Sequence, residues 1–181
     1  MMNINRYPEV HPKGKFLKKA YVAIMLWIVG RSIQAASRVD RVVKEEFAKL
    51  GDNFLLRLWV APNGPNMLVG KDKKGRVKYM GWNPNGKKVT LEMRVKGIEQ
   101  AILMFTFQES TCEATANDRL IVNGNLDDAC VIVRVLDIVE VFLLPKIITK
   151  LAVKRYPKWS QMSPLRKYAG RILTYIRAFS V

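Results

Sequence analysis

The chain has 181 residues, 49% of them apolar and 25% charged, a balance that fits one folded domain with flanking segments and excludes a disordered or collagen-like polymer. The 31 Lys and Arg outnumber the 15 Asp and Glu, and the formal charge of +16 favours an anionic partner such as a phospholipid surface or nucleic acid. A single His, His11 in Val10-His11-Pro12, and two Cys, Cys112 and Cys130, exclude a disulfide framework and leave too few ligands for an ordinary zinc site.

The charge is unevenly placed. Residues 1–50 carry +6, residues 51–110 carry +5, residues 111–145 carry −4, and residues 146–181 carry +9 without a single acid. This divides the chain into a basic N-terminal helical segment (1–50), a central domain (51–145) and a basic C-terminal helical tail (146–181).

Residues 13–47 read as helix. Lys15, Lys18 and Lys19 precede a ten-residue apolar run, AYVAIMLWIV at 20–29, and Arg31, Arg38 and Arg41 follow it. Ten helical residues rise about 15 Å, half of a hydrocarbon core of about 30 Å, so the run by itself is too short to span. Three readings stay open: a helix packed on the domain or a partner, an interfacial helix with Tyr21 and Trp27 at headgroup depth, or a secretion signal cleaved after Gln34-Ala35-Ala36.

The middle carries strand signals. Residues 54–60 (FLLRLWV) predict one strand, and 66–70 with 76–82 a hairpin around Lys71-Asp72-Lys73-Lys74-Gly75. In 88–96, Val89, Leu91, Met93 and Val95 alternate strictly with polar residues, which predicts a strand with one wet and one buried face. These four strands read as a meander. Residues 97–105 shift to helical spacing, and 119–122 form another short strand ended by Asn123-Gly124-Asn125.

A long helix is predicted from about residue 127 to 144, with Asp127 and Asp128 in its first turn, where the macrodipole favours anions. From Ala129 onward only Arg134, Asp137 and Glu140 are charged, in one narrow stripe. The apolar arc is far wider than the roughly 100° of an ordinary surface helix. Such a helix is either sandwiched between a sheet and another helix, or turned with one side toward an apolar cavity. Cys130, on this helix, and Cys112, before a strand, are expected to be reduced and to act as small apolar residues.

The order of these elements, with Leu120-Ile121-Val122-Asn123-Gly124-Asn125-Leu126 as a last strand and turn and residues 89–105 as an alternating strand leading into a helix, resembles the sterol-carrier-protein type 2 family of lipid-transfer domains over residues 53–144. The resemblance implies an α+β fold: a largely antiparallel five-stranded sheet covered by helices, here with added N- and C-terminal helices. It also implies an apolar tunnel for a fatty-acyl, sterol-like or isoprenoid ligand, bound without catalysis or cofactor. The expected ligand-binding residues are Leu91, Met93, Ile102, Phe105, Leu120, Val122, Ile132, Val133 and Leu136, each of which also reads as core. The four Met from Met67 to Met104 suit a pliable lining, and a charged head group would meet Lys or Arg at the mouth.

In the tail, Ser163-Pro164 opens a helix to about Phe179. Leu165, Tyr168, Ala169, Ile172, Leu173 and Ile176 share one face, with basic residues mostly off it. Such a helix suits an anionic membrane surface, and Lys154, Arg155, Lys158, Trp159, Arg166, Lys167 and Arg171 are the expected contacts. A helix docked on the protein or on a second copy remains open, and with it a homodimer. Nucleic acid ranks behind a membrane, because finger, zipper and aromatic RNA-binding signatures are absent; a sheet platform of Trp59, Tyr79 and Trp82 is its one candidate. GxSxG, phosphate-loop and dinucleotide fingerprints are absent too. The chain is therefore expected to carry a lipid or another long apolar molecule, in the cytoplasm or peripherally on a membrane.

Overall fold

Period-2 alternation is expressed most cleanly in strand β4 (Leu91–Val95), where Leu91, Met93 and Val95 are buried and Glu92 and Arg94 face the other way. The computed structural model, which describes residues 15–106, 108–143 and 164–179, sets β4 beside β1 (Leu55–Val60), with β2 (Asn66–Lys71), β3 (Val77–Tyr79) and β5 (Leu120–Asn123) completing one sheet in the order β3-β2-β1-β4-β5. Only β1 and β4 run parallel; the other three pairings are antiparallel. The architecture is α+β, a mostly antiparallel five-stranded sheet with helices.

The predicted four-strand meander stops after β3. The chain crosses to the far side of β1, and β4 aligns Leu91, Met93 and Val95 with Leu56, Leu58 and Val60. This register makes one continuous apolar face; local turn signals fix hairpins but do not say which strand edge a later strand joins. The opposite face mixes apolar Leu55 and Leu68 with polar side chains. There Arg57 lies over the Trp59 ring at 4.7 Å, and the Trp59 indole N–H donates to Glu92. Tyr79 packs toward the helical layer, so Trp59 and Tyr79 do not form the shared platform considered for nucleic acid.

Residues 13–47 do not form one helix. Helix α1 (Phe16–Val39) ends at Asp40, whose extended backbone and carboxylate cap α2 (Arg41–Ala48) by accepting from Val42 N at 2.9 Å and Val43 N at 3.1 Å. The other helices are α3 (Ile98–Phe105), α4 (Thr111–Ala116), α5 (Leu126–Leu143) and α6 (Pro164–Phe179). The sequence reading did not foresee α4, which starts with a capping box between Ser110 and Glu113. Asn125 opens α5 by accepting from Asp127 N at 2.9 Å, and Gly124 before it takes φ +138°, a backbone position that favours glycine.

Helix α1 lies across β2 and β3 and also meets α3, α5 and α6. It is longer than the apolar run alone: 24 residues, enough by length and composition to cross a membrane, yet partly buried within the fold. Gln34, Ala35 and Ala36 are all buried. The Gln34 side-chain oxygen accepts from Tyr79 N at 2.7 Å, giving the edge strand a partner that the sheet does not supply. Cys112 and Cys130 are free but exposed, not apolar filling, because each lies on the outward side of its helix. His11 falls outside the described residues.

Replacing Gln34 with Ala leaves the Tyr79 N–H without its acceptor. Urea unfolding is expected to show a loss of about 1–3 kcal/mol; an unchanged midpoint would refute a structural role for this bond.

Candidate binding cavity

Helix α5 is held by other helices. It packs against α1, α2 and α6, and its charged stripe is not a solvated one. Arg134 donates through Nε (3.0 Å) and Nη2 (2.9 Å) to one oxygen of Glu46 on α2, while Lys49 reaches the other oxygen at 2.5 Å. Burial pushes the Glu46 carboxyl up, but the bonds from Lys49 and Arg134 outweigh it and hold the carboxyl below its ordinary value. Gly170 of α6 sits where a Cβ would come within 2.9 Å of the Phe142 ring, so α6 approaches α5 closely.

Between α5 and the sheet lies a cavity of about 240 Å³. Leu58, Met93, Val95 and Leu120 form its sheet wall, and Leu136, Val139 and Leu143 its α5 wall. Met25, Ile28 and Val29 of α1 close one side, and Met104 and Phe105 of α3 another. The remaining lining is polar: Glu109, Ser110, Thr111, Glu140 and Tyr175. The Tyr175 hydroxyl donates to Leu143 O at 2.5 Å, and Ser110 is engaged in the α4 capping box. Burial pushes the Glu140 carboxyl up to about 8, with nearby Asp137 adding to the effect, and burial raises Asp137 as well. Among the described residues, the charged lining is thus two acids rather than the Lys or Arg expected at the mouth.

Of the nine residues expected to bind ligand, Met93, Phe105, Leu120 and Leu136 come together on this cavity. Leu91 and Ile132 are buried in the core away from it, Ile102 and Val122 are half-buried against that core, and Val133 is half-buried on α5. The lining from α1 and the two glutamates were not singled out by sequence reasoning. The apolar run of α1 was visible but not its target, and Glu140 stood in the narrow charged stripe of α5 with no sign that it lines a cavity. Glu109 gives no local signal. Lys154, Arg155, Lys158 and Trp159 lie outside the described residues; Arg166, Lys167 and Arg171 fall on α6, where only their backbone is described. Tyr168, Ile172 and Ile176 of α6 are 58%, 59% and 57% exposed. Among the described residues, no group of three His, Cys, Asp or Glu is placed to hold a metal ion.

No protein-family model and no curated protein matches the chain. Solved structures do. It is similar to a UbiJ-SCP2 ubiquinone synthesis protein at 15% identity and a TM-score of 0.43, over 69% of this chain and 97% of the other. It is similar to sterol carrier protein domain 2 of Helicoverpa armigera at 17% and 0.42, over 72% and 94%. A third, sterol carrier protein 2 like 2 from Aedes aegypti, stands at 14% and 0.32, over 55% and 94%.

A carboxyl whose midpoint is raised by folding favours the folded state while protonated. For Glu140 that contribution is fully present below its ordinary value of 4.5 and is lost as pH rises through about 8. The melting temperature is expected to fall over that window, and Glu140→Gln to flatten the fall. An equal slope in both proteins would contradict the buried placement of Glu140.

Proposed function

We propose that the chain binds a long apolar lipid chain non-covalently in the cavity beneath α5 and shields it from water. The observation that carries this reading is the cavity of about 240 Å³, walled mainly by Leu, Val, Ile, Met and Phe. At about 24 cal/mol per Å³, an empty void of that size costs on the order of 6 kcal/mol, comparable to the whole stability of a small domain. An occupant removes that cost, and each CH₂ taken from water contributes about 0.8 kcal/mol. The volume lies below the roughly 300–1,000 Å³ of pockets for drug-sized ligands, which suits one flexible chain. The same burial involves no bond making, so the reading is a carrier or sensor rather than an enzyme.

Delivery to an anionic membrane is the second part of the proposal. The apolar side of α6 that carries Tyr168, Ile172 and Ile176 is turned outward, in a segment whose formal charge is strongly positive. Apolar insertion and attraction to an anionic leaflet, about 1 kcal/mol per nearby Lys or Arg, act together on such a helix.

Native mass spectrometry of the gently purified chain is expected to retain a small apolar mass, and Leu136→Trp, which fills the void, to lose it. A bare chain from several lipid-rich hosts would favour a structural membrane-associated protein instead. Flotation with anionic vesicles is expected for the intact chain and should be lost in Ile172→Ser/Ile176→Ser. Unchanged flotation would clear α6 of that role.

A further inference from the structure

Two of the residues that line the cavity are glutamates, Glu109 and Glu140. Glu109 is 9% exposed, and its Oε1 accepts from Asn117 Nδ2 and Arg119 Nη1, both at 3.0 Å. Its Oε2 is buried without a hydrogen-bond partner. A buried carboxylate oxygen left unpaired costs about 1–3 kcal/mol or more, so a partner there stabilises the protein. Glu140, on the facing helix, makes no hydrogen bond or ion pair among the described residues. Ser110 and Tyr175 already donate, to Glu113 Oε2 and to Leu143 O, and Thr111 adds a hydroxyl that can donate or accept. No Lys or Arg is among the described residues that line the cavity, although the chain carries 31 of them. The nearby Arg119 is engaged by Glu109.

We infer that this acid-lined cavity selects an apolar ligand with a hydrogen-bond-donating, non-anionic head, a hydroxyl or an amine, and disfavours carboxylate and phosphate heads. This rests on the carrier reading and narrows its ligand class. A donor head satisfies the unpaired Oε2 of Glu109. An anionic head would enter a region of low dielectric beside the unpaired acceptor Oε2 of Glu109 and, above its midpoint, a charged Glu140, while Arg119 is already engaged by Glu109. The described lining of the cavity is thus acidic in a basic chain.

The test uses the full, lipid-stripped chain and three ligands with one common tail: decanol, decylamine and decanoate. Isothermal titration is run at about pH 9, above the Glu140 midpoint, where Glu140 carries charge. Decanol and decylamine are expected to bind at least about tenfold more tightly than decanoate. In Glu140→Gln, a residue with no partner among the described residues, the gap should narrow, with the unliganded fold verified by circular dichroism. Equal affinity for alcohol and amine supports recognition of the donor itself, and tighter amine binding supports recognition of its positive charge as well. Decanoate binding as tightly as decanol, or an unchanged gap in the variant, overturns the inference while leaving the carrier reading intact. Binding of none of the three overturns both.

Discussion

Helix α5 is apolar around most of its circumference, and its neighbours cover only part of it. Helices α1, α2 and α6 hold it in place, with the bidentate Arg134–Glu46 pair fixing it to α2. The wall opposite its Leu136, Val139 and Leu143 is the sheet, across a gap. Protein interiors are normally close-packed, and side chains collapse into small voids where the backbone permits. Here the backbone of α5 is anchored by other helices, so the gap beneath it is built into the fold.

That anchoring also explains the division of charge. The outer surface is strongly basic; Lys71, Lys73, Lys78, Lys87 and Lys88, for example, ring a groove open to solvent near β2 and β3. The cavity holds the reverse, two glutamates and no base among its described lining. Burial shifts the protonation of Glu140 toward neutral, and its α5 neighbour Asp137 reinforces that shift. In the proposed reading, the basic outside serves docking and the acceptors inside serve cargo selection.

Much of the fold was legible in the sequence because its signals are local. The alternation around Leu91, Met93 and Val95, the helical spacing from Ile98 to Phe105, the Asn123-Gly124-Asn125 turn and the apolar run of α5 each follow from side-chain periodicity or turn chemistry. The break at Asp40 and helix α4 also had local signals, an Asp cap and a Ser110-x-x-Glu113 box, that a reading by apolar period passes over. The parallel pairing of β4 with β1 had none, because it depends on which edge of the sheet offers the matching apolar face. The cavity shares this limit. Met93, Phe105, Leu120 and Leu136 were legible as inward residues, but the gap between them is set by where α1 and α2 hold α5, and Glu109 joins it only through the fold.

The central claim is that the gap beneath α5 is the place a ligand occupies. Methyl NMR with labelled methionine tests it directly, because Met25, Met93 and Met104 line the cavity while Met67 is fully buried away from it. Titration with decanol is expected to shift the first three methyl signals and leave Met67 in place. Shifts at Met67 with none at Met25, Met93 and Met104, or no saturable shift at all, would contradict the account.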